Sequence, residues 1–289
     1  MAINLGNSDL TASYIGTNLV KKAYLGTDKV YDIFISASGG AIGTFTSGSD
    51  TYTYHTFNSS STFTVHSTGK NYLNTNTLNI LVVGGGGGAT SQIGTYWNGA
   101  GGGGVVTSSV VPNTGVYTVT VGNGGSFNNN GSQSVFTSGS FINLIASGGL
   151  KDGTSGAPAS LPKGSDVTNC YTFYNAGGGG GGAMQSGSNA QCASFGFTNG
   201  AKGGVGGDGI GVNFRGTLEY FGGGGGGGSD TDPAGAAGGQ GGGGRGRRVQ
   251  SGIGWNNLSG LPNTGGGSGG GTDNTTTGGS GVVIVYYKS

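Results

Sequence analysis

Charge is what this chain has least of. Only 8% of its 289 residues are Asp, Glu, Lys or Arg, and the net charge is +1. That leaves no broad basic surface of the kind nucleic acid or an anionic membrane requires. Five prolines exclude a collagen-type chain, which needs Gly at every third position beside abundant proline. Two cysteines, Cys170 and Cys192, are too few for a disulfide scaffold and lack metal-ligand spacing. A single bridge between them would add roughly 3 kcal/mol in an oxidising compartment, and a pair of free thiols is the equal alternative. No apolar run approaches the ~18 residues of a membrane span. The opening MAINLGNSDL has no basic segment followed by an apolar one, so no signal peptide is expected either. With 33% apolar residues the conventional core is small, and solubility falls to Ser, Thr and Asn.

What the chain has is glycine, at 73 positions, unevenly spread. Residues 1–38 are glycine-poor and carry a short repeat: YIGTNLV from Tyr14 is echoed by YLGTDKV from Tyr24. Each copy sets a Gly-Thr-Asn/Asp turn between β-formers, which predicts two linked hairpins. So small a unit needs a larger body to dock on, and Ser36 to Gly40 (SASGG) reads as the linker to it. From 41 to 83 the alternation of Tyr52, Tyr54, Phe57, Phe63 and Val65 predicts strands, and further strand signals follow at 105–111, 116–121, 133–137, 141–147 and 282–287. That gives about nine strands and no segment with helical period and caps.

Glycine runs then dominate, at 177–182, 203–207, 222–228, 238–244 and 265–271, with shorter ones at 84–88, 101–104 and 278–281. Such runs ordinarily read as flexible linkers. Here they have similar lengths, the intervening loops carry Trp, Tyr and Phe, and the chain closes on the apolar strand VVIVYY, whose best partner is LNILVV at 78–83. Pairing the two would hold everything between in one body. The ordered alternative for the runs is polyglycine II: three residues per turn, ~3.1 Å rise, backbone groups pointing outward. Ordering costs ~1–2 kcal/mol per residue and each hydrogen bond returns ~1 kcal/mol net, so only several runs bonded laterally can order together. The expected architecture is all-β: a β-sandwich-like body over 39–148, then an antiparallel polyglycine II stack over 149–289 with a closing C-terminal strand, behind an N-terminal β-hairpin domain over 1–38.

The segments GGAIGTFTSGSDTYTYHTF, TFTV, LNILVVGGGGG, GAGGGGVVTSSV, YTVTVGNGG, PNTGGGSGGG and GGSGVVIVYY together resemble the glycine-rich phage tail and tail-fibre-tip adhesin proteins, over most of 39–289. The head VKKAYLGTDKVYD resembles an element found near the N-termini of phage tail proteins. The resemblance implies a virion component in several copies per particle. It would attach to other tail or fibre proteins through residues 1–38 and recognise a bacterial surface glycan or outer-membrane protein through loops on the stack. Neither enzymatic activity, a cofactor nor membrane insertion is implied. The rival readings are a purely structural tail or baseplate subunit and a glycine-rich ice-binding protein.

If successive glycine runs alternate in direction, loops 150–176, 208–221 and 245–264 share one end, and loops 183–202, 229–237 and 272–277 share the other. The first set carries Tyr171, Phe173, Tyr174, Phe214, Arg215, Tyr220, Phe221, Arg245, Arg247, Arg248 and Trp255, the expected receptor-binding residues, because aromatic and Arg side chains anchor interfaces and stack on sugars. Tyr96 and Trp97 in loop 89–100 are further candidates, of unassigned end. On this scheme Cys170 and Cys192 lie at opposite ends, and a bridge between them would overturn it.

Catalytic signals are thin. Asp230, Asp232 and Glu219 do not amount to the carboxylate pair of a glycosidase. GGVGGDGIG at 203–211 fits one copy of a calcium-binding nonapeptide that works only in tandem. GxGxxG matches lack a βαβ context. His55 and His66 have no partner at metal spacing and read as packing or surface residues. The cluster of Arg245, Arg247 and Arg248 suits a phosphate or acidic sugar, or simply solvent.

Overall fold

The computed structural model describes every residue except 1–12, 16–17, 21, 26–27, 70–74, 91–96, 171–173, 196–197, 231–234, 248–257 and 272–274; for the described parts of 13–32 and for 167–170, 193–195 and 198–199 it describes the backbone alone. No helix occurs among the described residues. Strands β1 (Ser13–Ile15) and β2 (Asn18–Val20) form one hairpin, and β3 (Lys22–Leu25) and β4 (Asp28–Asp32) form a second, as the repeat predicts. The segment read as a linker is instead a strand. In β5 (Ile35–Ser38), Ala37 lies opposite Val65, and Ile33, Phe34 and Ile35 are buried, so the body begins before residue 39.

The body strands are β6 (Ala41–Ser47), β7 (Asp50–Phe57), β8 (Ser61–Thr68), β9 (Leu78–Val83), β10 (Val105–Val110), β11 (Gly115–Thr120), β12 (Ser134–Ser138) and β13 (Ile142–Ala146). Three short hairpins follow among the glycine runs: β14 (Val167–Cys170) with β15 (Tyr174–Ala176), β16 (Gln191–Phe195) with β17 (Thr198–Lys202), and β18 (Ile210–Val212) with β19 (Glu219–Phe221). The chain ends in β20 (Val282–Lys288). Two five-stranded antiparallel sheets result, ordered β10-β9-β20-β7-β6 and β13-β12-β11-β8-β5.

The expected pairing of the two apolar runs is present, with Val282 opposite Val83 and Ile284 opposite Leu81. Both strands are central in their sheet, and both of their faces are buried, which is why they are apolar without alternation. On the inner face Ile80, Val82, Val283 and Val285 meet Phe63, Tyr117 and Phe136 from the second sheet. Leu81, Val83, Val282 and Ile284 point the other way, onto Ala183 and Phe221. The sandwich therefore has a second, smaller core where the β18–β19 hairpin lies across its outer face.

Candidate functional site

Glycine enters directly from the sheets: Val83 precedes Gly84, Gly104 precedes Val105, and Gly281 precedes Val282. The run 222–228 lies at the centre of the glycine stack. Its N–H groups donate in turn to three neighbours. Gly225 and Gly228 bond Ala100 O and Trp97 O, Gly223 and Gly226 bond Gly241 O and Gly244 O, and Gly224 and Gly227 bond Gly207 O and Gly204 O. Its carbonyls accept from three more: Gly225 and Gly228 from Gly180 and Gly177, Gly223 and Gly226 from Gly267 and Gly270, and Gly224 from Gly239. Six segments surround the run, and five of them are met twice, three residues apart. That is the bonding that stacked polyglycine II would use, and it supplies partners to backbone groups that burial would otherwise strand.

Only glycine fits these positions. A Cβ on Gly224, Gly225, Gly226 or Gly227 would lie 2.1, 1.9, 2.2 or 1.9 Å from a neighbouring carbonyl oxygen. One run departs from expectation. Residues 238–244 turn back on themselves at Gly241 and Gly242, whose φ angles of 95° and 89° are left-handed, so the run contributes two antiparallel passes.

The bonded pairs fix the direction of every pass and correct the assignment of loops to ends. Segments 177–183 and 222–228 are antiparallel, but 177–183 and 203–207 are parallel, with Gly204 donating to Gly177 O and Gly207 to Gly180 O. Between them runs an unforeseen return pass, in which Gly179 donates to Ser188 O and Gly182 to Gln185 O. A second return pass precedes β14, where Gly164 donates to Gly179 O. Each extra pass restores parity. The β14–β15 and β16–β17 hairpins therefore stand side by side at the same end, in contact with each other.

Cys192 is disulfide-bonded, and Cys170 is the chain's only other cysteine. The bridge staples these two hairpins, and it is incompatible with loops 150–176 and 183–202 lying at opposite ends. The same end receives the residues flanking the other long connections. Gly228 donates to Trp97 O, Ser229 to Arg247 O, Arg247 to Gly270 O, and Asp230 to Asn175 O. The described flanks of 91–96, 171–173, 196–197, 231–234, 248–257 and 272–274 thus gather at one end of the stack, away from the sandwich.

Loop 208–221 does not belong with them. It lies at the opposite end, against the sheet. Phe221 is buried in the second core, Phe214 meets the Tyr286 ring edge-on at 5.0 Å, and Arg215 is held by both carboxylate oxygens of Glu219, with Nε to Oε2 at 2.9 Å. This pairing is the largest cause of the raised Arg215 pKa. Tyr220 is exposed, on the same hairpin beside the sheet. Trp97 is buried where its pass enters the stack. Tyr174 is half-buried on Ala176, Ala190 and Ala201 at the far end, and Arg245 and Arg247 lie half-buried in the pass that leads there. Tyr96, Tyr171, Phe173, Arg248 and Trp255 lie outside the described residues.

A family model of a glycine-rich domain matches residues 56–288. The chain belongs to that glycine-rich domain family. A search of curated proteins returns no match. The family's extent takes in the last two residues of β7, the sandwich from β8 onward and the whole stack, so the matched domain joins most of the sandwich to its glycine passes. Nothing in the sequence marked the return passes, because residues 161–165 and 185–189 carry side chains and look like loop.

Proposed function

We propose that this glycine-rich domain is a phage tail or fibre-tip adhesin that recognises a bacterial surface glycan or outer-membrane protein without catalysing a reaction. In this reading the stack is polyglycine II and the hairpins of residues 1–38 join the chain to other tail proteins. The supporting observation is that the described flanks of six connections meet at one end, held there by backbone hydrogen bonds. A platform of that kind pre-organises loops, so that recognition loses little entropy, and several copies per virion add avidity. Tyr96, Tyr171, Phe173, Tyr174, Arg248 and Trp255 are the residues assigned to the contact. Phe214, Arg215, Tyr220 and Phe221 are withdrawn from it because their loop lies at the opposite end, beside the sheet.

The test is adsorption of virions whose loop 249–256 is replaced by a Gly-Ser segment of equal length. Loss of adsorption with normal particle assembly supports the adhesin. Unchanged adsorption and infection would make the chain a structural subunit.

A further inference from the structure

We propose that the sandwich carries a second ligand site, on the open part of the β10-β9-β20-β7-β6 face beside the β18–β19 hairpin, and that it binds a short neutral oligosaccharide. Strand register puts the outer face in rows. The rows of Val282 with Val83 and of Ile284 with Leu81 lie under the hairpin. Two residues further along β20 the cover ends at Phe214, and the next rows are Tyr54, Tyr286, Asn79 and Ser109, then Phe45, Tyr52 and Lys288. Two hollows of about 400 and 490 Å³ lie there and share Asn79, Asn213 and Tyr286 in their walls. Each falls within the roughly 300–1,000 Å³ of small-ligand sites.

The floor is aromatic. Phe45 and Tyr52 stack with centroids 5.1 Å apart and planes 13° apart, and Tyr286 stands edge-on to both, at 5.7 and 5.8 Å. Ring faces are electron-rich and attract the C–H-lined face of a pyranose. Around that floor stand groups matched to hydroxyls. Asn79 accepts from the Ser109 hydroxyl at 2.7 Å through Oδ1, which leaves its amide N–H₂ as the donor side, and the exposed Asn213 offers both donor and acceptor from the hairpin. Among the described residues the only charges in the walls, Lys288 and Asp50, are paired at 2.8 Å, so the site offers no net charge to an anionic sugar. A purely apolar partner would leave these amides unsatisfied.

The experiment is NMR titration of the full chain with maltotriose, cellotriose, laminaritriose and chitotriose in turn. At least one is expected to shift the resonances of Tyr52, Asn79 and Asn213. Tyr52→Ala and Asn213→Ala should each weaken that binding at least ~tenfold, whereas the chain with loop 249–256 replaced should bind as before. If Tyr52→Ala does not fold, the exposed Asn213→Ala decides. Absence of any shift with all four sugars, or binding that survives Asn213→Ala, overturns the proposal. Because the loop variant and the groove variants are separate, failure here leaves the adhesin reading to its own test.

Discussion

The α-carbon of Gly225 faces the carbonyl of Ser268 so closely that a Cβ built on it would lie 1.9 Å from the oxygen. Nothing near it can yield, since the obstacle is backbone held in its own hydrogen bonds. Gly225→Ala is therefore expected to push passes apart and lose lateral bonds, costing at least the ~1–3 kcal/mol of core overpacking. Gly139→Asn is the control. Its φ of 50° suits Asn and no atom lies within 4 Å of an added Cβ. Thermal unfolding of the two variants should separate clearly, with the control near the parent.

His55 and Tyr287 predict a pH effect. Gly39 O can only accept, so Nδ1 at 2.6 Å carries the proton and Nε2 accepts from the Tyr287 hydroxyl at 3.0 Å. Burial holds the imidazole below its ordinary pKa of 6.5. It also pushes the phenol up to about 12, so the hydroxyl stays a donor. A depressed histidine pKa means that the unfolded chain binds the proton more tightly. Stability is thus complete above pH 6.5 and falls as pH drops from there toward the folded-state value. Replacing His55 by Gln, which keeps a donor and an acceptor, should flatten this slope in denaturant midpoints measured between pH 7 and 5.

The staple between the β14–β15 and β16–β17 hairpins should be worth roughly 3 kcal/mol by restricting the unfolded chain. Dithiothreitol is expected to lower the melting temperature of the parent and to leave Cys192→Ser unchanged, both observed by calorimetry.

Phe221 closes the second core. Phe221→Ala should cost ~3–5 kcal/mol and also open the groove wall at Phe214, so that limited proteolysis cuts within 213–218. A folded variant with no new cleavage would mean that the hairpin does not depend on this anchor.

Much of the body was readable from residue pattern. The strand signals at 105–111, 116–121, 133–137, 141–147 and 282–287 match β10 to β13 and β20, and the doubly buried character of LNILVV and VVIVYY announced their pairing. The head hairpins were visible in their repeated turns. The stack was legible only in outline. Its long runs declare themselves through glycine, but residues 185–189 and 161–165 run as passes with side chains, because positions facing away from the lattice need not be glycine. Missing the 185–189 pass shifted the parity of the loops that follow it, and with it the placement of 208–221, and the turn-back at Gly241 and Gly242 shifted the parity again. The strand at Ile35–Ser38 was hidden for a related reason: Ser, Ala and Gly look like linker, and only tertiary pairing with β8 makes them strand.

The proposed display of loops at one end requires the glycine passes to be a bonded solid. Native-state hydrogen exchange read at the amides of residues 223–227 tests this most directly. Protection comparable to that of Ile80 and Ile284 in the central strands is expected, since each of these amides donates to a different backbone carbonyl. Exchange at the rate of an unstructured peptide would contradict it.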